Sequence, residues 1–176
     1  MSGHNKWSKI KRQKGATDAA KSKIFSKMAK LISTASRMAK GDVNSPSVRA
    51  AIEKAREFNM PSDNIDRAVK KGIGGEDEQM ESITYESYGP GGSALIIEAL
   101  TTNRNKAAQE IKHILSDNGF ELATPGSALW AFKKENQEWN PTMTVPLSPE
   151  DEATLEKLIN DLEENEEVQD VYTNAE

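Results

Sequence analysis

The chain has 176 residues, of which 36% are hydrophobic and 29% charged, and its formal net charge is −5. That length suits one ordinary domain or two small ones with modest cores. The absence of cysteine excludes disulfides and thiolate metal sites, and the only histidines, His4 and His113, are too far apart in sequence to suggest a catalytic or metal cluster.

Residues 1–16 have no apolar periodicity and read as an arm. They carry Lys6, Lys9, Lys11, Arg12 and Lys14, with Trp7 set among them. A helix is predicted from Thr17 or Asp18, with Ile24, Met28, Leu31, Ile32 and Ala35 as its apolar stripe and Gly41 at its end. "NSPSVRAAIEKAREFNM" predicts a second helix, with Ser45 as cap, Pro46 in the first turn, and Val48, Ile52 and Ala55 facing inward. "PSDNIDRAVKKG" predicts a short third helix capped by Ser62, turning Ile65 and Val69 inward and stopping at Gly72. Composition then shifts from lysine to glycine and acids, placing a domain boundary within residues 72–80.

The second half alternates strand and helix patterns. "ESITYESY" and "SALIIEALTT" read as strands joined by the turn "GPGG". "NRNKAAQEIKHILSDNG" reads as a helix capped by Thr102 or Asn103, burying Ile111, Ile114 and Leu115 and closing at Gly119. "GSALWAF" reads as a strand, and "MTVPL" as a short edge strand interrupted by Pro146. Ser148, Pro149 and Asp151 start a helix with the stripe Leu155, Leu158, Ile159 and Leu162, and "VQDVYT" is a last strand. The order β-β-α-β-β-α-β predicts a mixed-sheet α+β domain with both helices on one face, following a three-helix domain. The segment "KKENQEWNPT" reads as a connection without structure of its own.

Charge follows the same division. Residues 1–72 hold 17 Lys or Arg against 6 Asp or Glu, and residues 73–176 hold 6 against 22. One half therefore suits a polyanion and the other repels it. Lys21, Lys23, Lys27 and Lys30 extend the basic arm along the first helix, and Lys70 and Lys71 close the third. Lysines neutralise phosphates and release counterions, while Trp7 offers a surface for an unstacked base. A basic helix also suits anionic lipid, but here the apolar stripe is needed by the other two helices. The longest mostly apolar run, "SALIIEAL", is far short of the roughly 20 residues a membrane span needs. The N-terminus lacks the apolar region of a secretory signal, so the expected location is cytoplasmic.

Other motifs carry less chemistry. "GIGG" lacks a following Lys-Ser or Lys-Thr and is a poor phosphate cradle. "GPGG" suits a tight turn or a close backbone approach to a partner. "TNRNK" is a basic island in which Arg104 opposes the helix dipole, so it either binds phosphate or pairs with a glutamate. No Ser-His-Asp order or nucleophile elbow is present, and nothing calls for catalytic residues, a metal or a cofactor. Tyr85, Tyr88, Trp130 and Trp139 read as packing or interface residues.

"MSGHNKWSKIKRQKGATDAAKSKIFSKMAKLI", "NMPSDNIDRAVKKGIGG" and "YESYGPGGSALIIEALTTNRNK" resemble the YebC family, the YebC/PmpR group of bacterial regulators. Its mitochondrial relatives include a translational activator of a cytochrome oxidase subunit. The resemblance runs from residue 1 to about 134 and resumes at "TVPLSPEDEATLEKLINDLEENEEVQDVYTNAE". It implies an N-terminal helical domain (residues 1–75) and an α+β domain (80–176). The family's third domain is inserted after the strand matching "GSALWAFKK", so residues 135–141 would stand in its place. The implied activity is non-enzymatic: a DNA-binding transcriptional regulator or, alternatively, a ribosome-associated factor that binds RNA and relieves stalling at proline-rich stretches. The basic first domain would bind nucleic acid. Asn103, Arg104 and Asn105, and the turn Tyr88, Gly89, Pro90, Gly91 and Gly92, would be further contacts. The acidic domain would face protein partners, with no membrane and no small-molecule substrate.

Overall fold

The computed structural model describes residues 17–74 and 79–176. They divide into two compact units, a helical one within Lys9–Met80 and an α+β one over Glu81–Glu176. The expected arm, residues 1–16, lies outside the described residues.

The helical unit contains α1 (Asp18–Met38), α2 (Pro46–Glu57) and α3 (Ser62–Ile73). Thr17 caps α1, its hydroxyl accepting the Ala20 N–H at 3.2 Å, and Asp18 complements the dipole in the first turn. After α1, the Gly41 N–H donates to the Ser36 carbonyl at 2.9 Å with Gly41 at φ +83°, a left-handed stop natural for glycine. Ser45 holds the cap position of α2 with Pro46 next, but its hydroxyl bonds that of Ser47 at 2.9 Å instead of a helix N–H.

Two expectations about α3 need correction. Pro61, not Ser62, is its cap residue, and the Pro61 carbonyl accepts from Asn64 and Ile65. Gly72 does not end the helix, which continues to Ile73; Gly72 is buried where α3 meets α1. A Cβ there would lie 2.3 Å from the Ser33 carbonyl oxygen, and the Ser36 hydroxyl beside it donates to the Val69 carbonyl at 2.9 Å. Glycine is needed for closeness, not for a turn. The core of this unit is Met28, Ile32, Ala35, Val48, Ala51, Ala55, Met60, Ile65 and Ala68, whereas Ile52 and Val69 are only partly buried. Alanines dominate, so full burial of Ile32, Val48 and Ile65, at about 1.5–3 kcal/mol each, supplies much of its stability.

The α+β unit runs β1 (Glu81–Tyr88), β2 (Ala94–Thr101), α4 (Arg104–Asp117), β3 (Phe132–Glu135), β4 (Glu138–Pro141), α5 (Pro149–Glu164) and β5 (Val168–Thr173), in the order expected from sequence. β2 is the centre of an antiparallel sheet, β1-β2-β5, and every β2 residue except Glu98 is buried. Tyr88 pairs with Ala94 and Glu81 with Thr101; a bulge at Glu98/Ala99 interrupts the pairing to β5. Strand alternation sends Leu95 and Ile97 to one face and Ala94 and Ile96 to the other. The first face meets the helices: a Cβ on Gly89 would lie 3.1 Å from Leu95 and 3.5 Å from Leu155 of α5. Leu155, Leu158, Ile159 and Leu162 of α5 and Ile111 and Leu115 of α4 are buried, and the two helices touch one another. Ser148 caps α5, accepting the Asp151 N–H at 3.1 Å, and Asn103 caps α4, accepting the Lys106 N–H at 3.0 Å.

The opposite face differs from expectation. Ala94, Ile96 and Tyr172 pack there against Ala128, Ala131 and Phe132, with Leu129 and Trp139 beside them. "GSALWAF" is not one strand: Leu129–Ala131 is a 3₁₀ turn and β3 begins at Phe132. The Glu86 carboxylate accepts three N–H groups from Gly126, Ala128 and Leu129, curling the backbone around a point. "KKENQEWNPT" is not structureless, since β3 and β4 pair as a two-stranded hairpin. Asn136 (φ 50°) and Gln137 (φ 67°) form its two-residue turn, with the positive φ pair that matches the twist of a hairpin. "MTVPL" contributes only a parallel bridge, Val145 to Ala175, because Pro146 has no N–H to extend the ladder.

Candidate nucleic-acid interface

Lys23, Lys27 and Lys30 follow at i, i+4 and i+7 and share the α1 face turned away from Met28, Ile32 and Ala35. Lys23 is exposed, while Lys27 and Lys30 are half-buried. Lys21 lies in the first turn, exposed but outside that stripe. Lys70 and Lys71 are exposed in the last turn of α3, where cations also complement the helix dipole. The structure thus aligns three of the expected lysines on one helix face, and Lys6, Trp7, Lys9, Lys11, Arg12 and Lys14 lie outside the described residues.

The basic island of the other unit is engaged within its own unit. The Arg104 guanidinium donates to the Glu81 carboxylate at 2.6 Å, with both side chains at least half exposed. The hydrogen bond and charge of Glu81 hold the Arg104 pKa above its ordinary value. Of the two roles open to Arg104 in sequence, the structure forms the glutamate pair. Asn103 is the helix cap, and Asn105 is exposed one residue beyond Arg104. An exposed pair of this kind contributes little to stability.

The "YGPGG" turn is mostly built inward. The Gly89 N–H donates to the Ser93 carbonyl at 2.8 Å, and the Ser93 hydroxyl to the Pro90 carbonyl at 2.8 Å. Pro90 is buried, and a Cβ on Gly91 would meet Leu147 at 2.6 Å and the Asp151 carboxylate at 3.2 Å. Only Gly92 borders open space, while Tyr88 is partly exposed at the sheet edge. Close packing accounts for both glycines: a Cβ on Gly89 would meet the Ser93 hydroxyl at 2.9 Å, and Gly91 lies against the start of α5.

Sequence reasoning missed Glu86. It is 4% exposed, in a stretch read only as a strand, with no role expected for its carboxylate. Its one signal was position: it alternates with Thr84 and Tyr88 on the sheet face opposite the helices, a face whose covering layer was not foreseen. Among the described residues no three His, Cys, Asp or Glu side chains converge as metal ligands, and no helix is long and apolar enough to cross a membrane.

The structure thus pairs a basic helical unit with an acidic α+β unit in one chain. Residues 5–75 match the TACO1/YebC protein N-terminal domain, and residues 80–137 and 134–175 match the TACO1/YebC second and third domain. The chain belongs to the TACO1/YebC family. A "probable transcriptional regulatory protein" of Fervidobacterium nodosum is 53% identical over 137 residues, covering 77% of this chain and 54% of its own. A protein of the same description from Syntrophus aciditrophicus is 45% identical over 98% of this chain and 70% of its own. One from Thermoanaerobacter pseudethanolicus is 37% identical over all of this chain and 97% of its own, in an alignment of 241 residues. The crystal structure of a conserved hypothetical protein from Aquifex aeolicus superposes with TM-score 0.76 at 30% identity, over 90% of this chain and 91% of that one. The chain therefore spans little more than half the length of some of its relatives. The two segments matching the second and third domains meet at residues 134–137, at the turn of the β3–β4 hairpin.

Proposed function

We propose that this chain is a non-enzymatic, nucleic-acid-binding regulator of gene expression, with DNA as its first target. The observation that carries the reading is the separation of charge: 17 cations against 6 acids in residues 1–72, with Lys23, Lys27 and Lys30 aligned on one face of α1. The relatives named as transcriptional regulators support it. In this reading Lys6, Lys9, Lys11, Arg12, Lys14, Lys21 and Lys23 contact phosphates and Trp7 stacks on a base, while the acidic unit keeps nucleic acid to one side and faces protein. The protein works without a cofactor, in the cytoplasm. Residues 135–141 stand in place of the family's inserted domain, a reading supported by the two matched segments meeting at residues 134–137 and by the 241-residue alignment against 176 residues here.

Binding to labelled duplexes across a salt series tests the function. A transcriptional regulator is expected to prefer its own duplex by a factor of roughly 10³ or more over random DNA. Affinity is expected to fall with salt at a slope of about −0.9 per phosphate contact. Removing residues 1–16 is expected to abolish most binding, and unchanged affinity would overturn the site assignment. Equal, salt-sensitive binding to every duplex, together with co-sedimentation with ribosomes, would replace the DNA reading with a ribosomal one.

A further inference from the structure

The α+β unit carries an aromatic pair, Tyr88 and Trp130, that the phosphate contacts of the proposed function leave unused. Trp130 is 59% exposed and Tyr88 37%. The Trp130 indole N–H donates to the Tyr88 hydroxyl at 3.0 Å, and that hydroxyl donates onward to the Ser127 carbonyl. Beneath them the buried Glu86 carboxylate accepts from the backbone of Gly126 at 2.6 Å, Ala128 at 2.9 Å and Leu129 at 2.8 Å. The turn carrying Trp130 is therefore fixed at three amides, and the indole at its one polar atom. An exposed aromatic ring held this way loses little further freedom when a partner binds, which is what makes rigid Trp and Tyr effective anchors. Packing does not explain the arrangement, since the outer surface of the ring faces solvent.

The surroundings select the partner. On the same side of the sheet, Glu98 accepts from the Trp139 indole and from the Thr84 hydroxyl, and Glu98 pairs across to Asp170. Asp170, Glu138 and Glu98 all act on the Tyr172 phenol, raising its pKa in addition to burial. The two lysines nearby in sequence are engaged: Lys133 pairs with Glu135 at 2.7 Å, and Lys134 lies 5.0 Å from the centre of the Trp139 ring. Residues 73–176 together hold 22 acids against 6 Lys or Arg. Such a field repels phosphates and draws in cations. A planar guanidinium stacks on indole more effectively than a lysine ammonium does.

We propose that Tyr88 and Trp130 form a preorganised docking platform for a basic polypeptide segment, with an arginine of that partner stacked on the Trp130 ring. The platform deepens the protein-facing role assigned to the acidic unit and is independent of the basic arm.

Titration of the full chain with an oligoarginine and an oligolysine peptide of equal length, at near-physiological salt, tests it. Oligoarginine is expected to bind more tightly than oligolysine. Trp130→Ala is expected to weaken oligoarginine binding about three- to fivefold, the scale of one exposed cation–π contact. Trp130→Phe, which keeps a stacking ring, is expected to retain most of the affinity. Tyr88→Phe removes the hydroxyl that orients the indole and is expected to weaken binding less than Trp130→Ala. A chain lacking residues 1–16 is expected to bind the peptide as the full chain does, which separates this proposal from the nucleic-acid one. Equal binding of Trp130→Ala and the unaltered chain would overturn the proposal, as would equal affinity for the two peptides. Trp130-dependent binding of a single-stranded oligonucleotide, tighter than that of oligoarginine, would overturn it in favour of a base-stacking site.

Discussion

Gly72 sits where α3 lies so close to α1 that a methyl group would fall 2.3 Å from the Ser33 carbonyl oxygen. That obstacle is helix backbone, which cannot swing aside as a side chain can. Gly72→Ala is therefore expected to destabilise the helical unit by about 3 kcal/mol, read as a lower midpoint in urea denaturation, although alanine is the better helix former. Tyr172 gives a pH dependence. Burial first, then the carboxylates of Asp170, Glu138 and Glu98, push its phenol far above the ordinary value of 10.0. Because the folded pKa is raised, the stabilisation is complete below the unfolded value and is lost as pH rises beyond it. Alkaline unfolding followed by circular dichroism is expected to begin above about pH 10, and Tyr172→Phe to move that onset upward.

The β3–β4 hairpin is the element whose sequence least announced its structure. Its turn residues are Asn136 and Gln137, and only Asn tolerates positive φ with ease. Gln137 at φ 67° carries a cost that glycine would not. Gln137→Gly is expected to stabilise the α+β unit by about 0.5 kcal/mol, a small rise in melting temperature measurable by calorimetry. An Asn-Gly pair would have flagged the hairpin in the sequence, whereas Asn-Gln between two glutamates read as a linker. The helices were more legible. The α1 start at Thr17 or Asp18, the α4 cap at Thr102 or Asn103, the α5 start at Ser148 and the stripes on α1 and α5 follow local rules that hold without tertiary help. The α3 cap failed because Pro61 ends the extended segment itself, leaving Ser62 already helical.

The helical unit, across the whole molecule, has the weaker core. Its buried apolar residues include four alanines, at 35, 51, 55 and 68, whereas the α+β unit buries Leu95, Ile96, Ile97, Ile111, Leu115, Leu155, Leu158 and Leu162 completely. Separately produced fragments 1–78 and 79–176 are expected to melt at different temperatures, the helical fragment lower by at least 10 °C or so, as small domains with little apolar burial are marginal. Equal melting temperatures would show that core size does not set the order.

Local composition determined the division into a basic helical part and an acidic α+β part, the helices with the strands β1, β2 and β5, and the family resemblance. Helix periodicity, caps and charge are properties of neighbouring residues, so they survive without knowledge of the fold. Tertiary structure alone decided which side of the sheet the chain covers twice. Glu86, Tyr88 and Trp130 lie up to 44 positions apart, and no local pattern links a glutamate in one strand to the amides of a later turn. Pairing across that distance depends on β1 being at the sheet edge and on residues 126–132 folding back over its inner face. Only then do a buried carboxylate and two exposed rings become one surface.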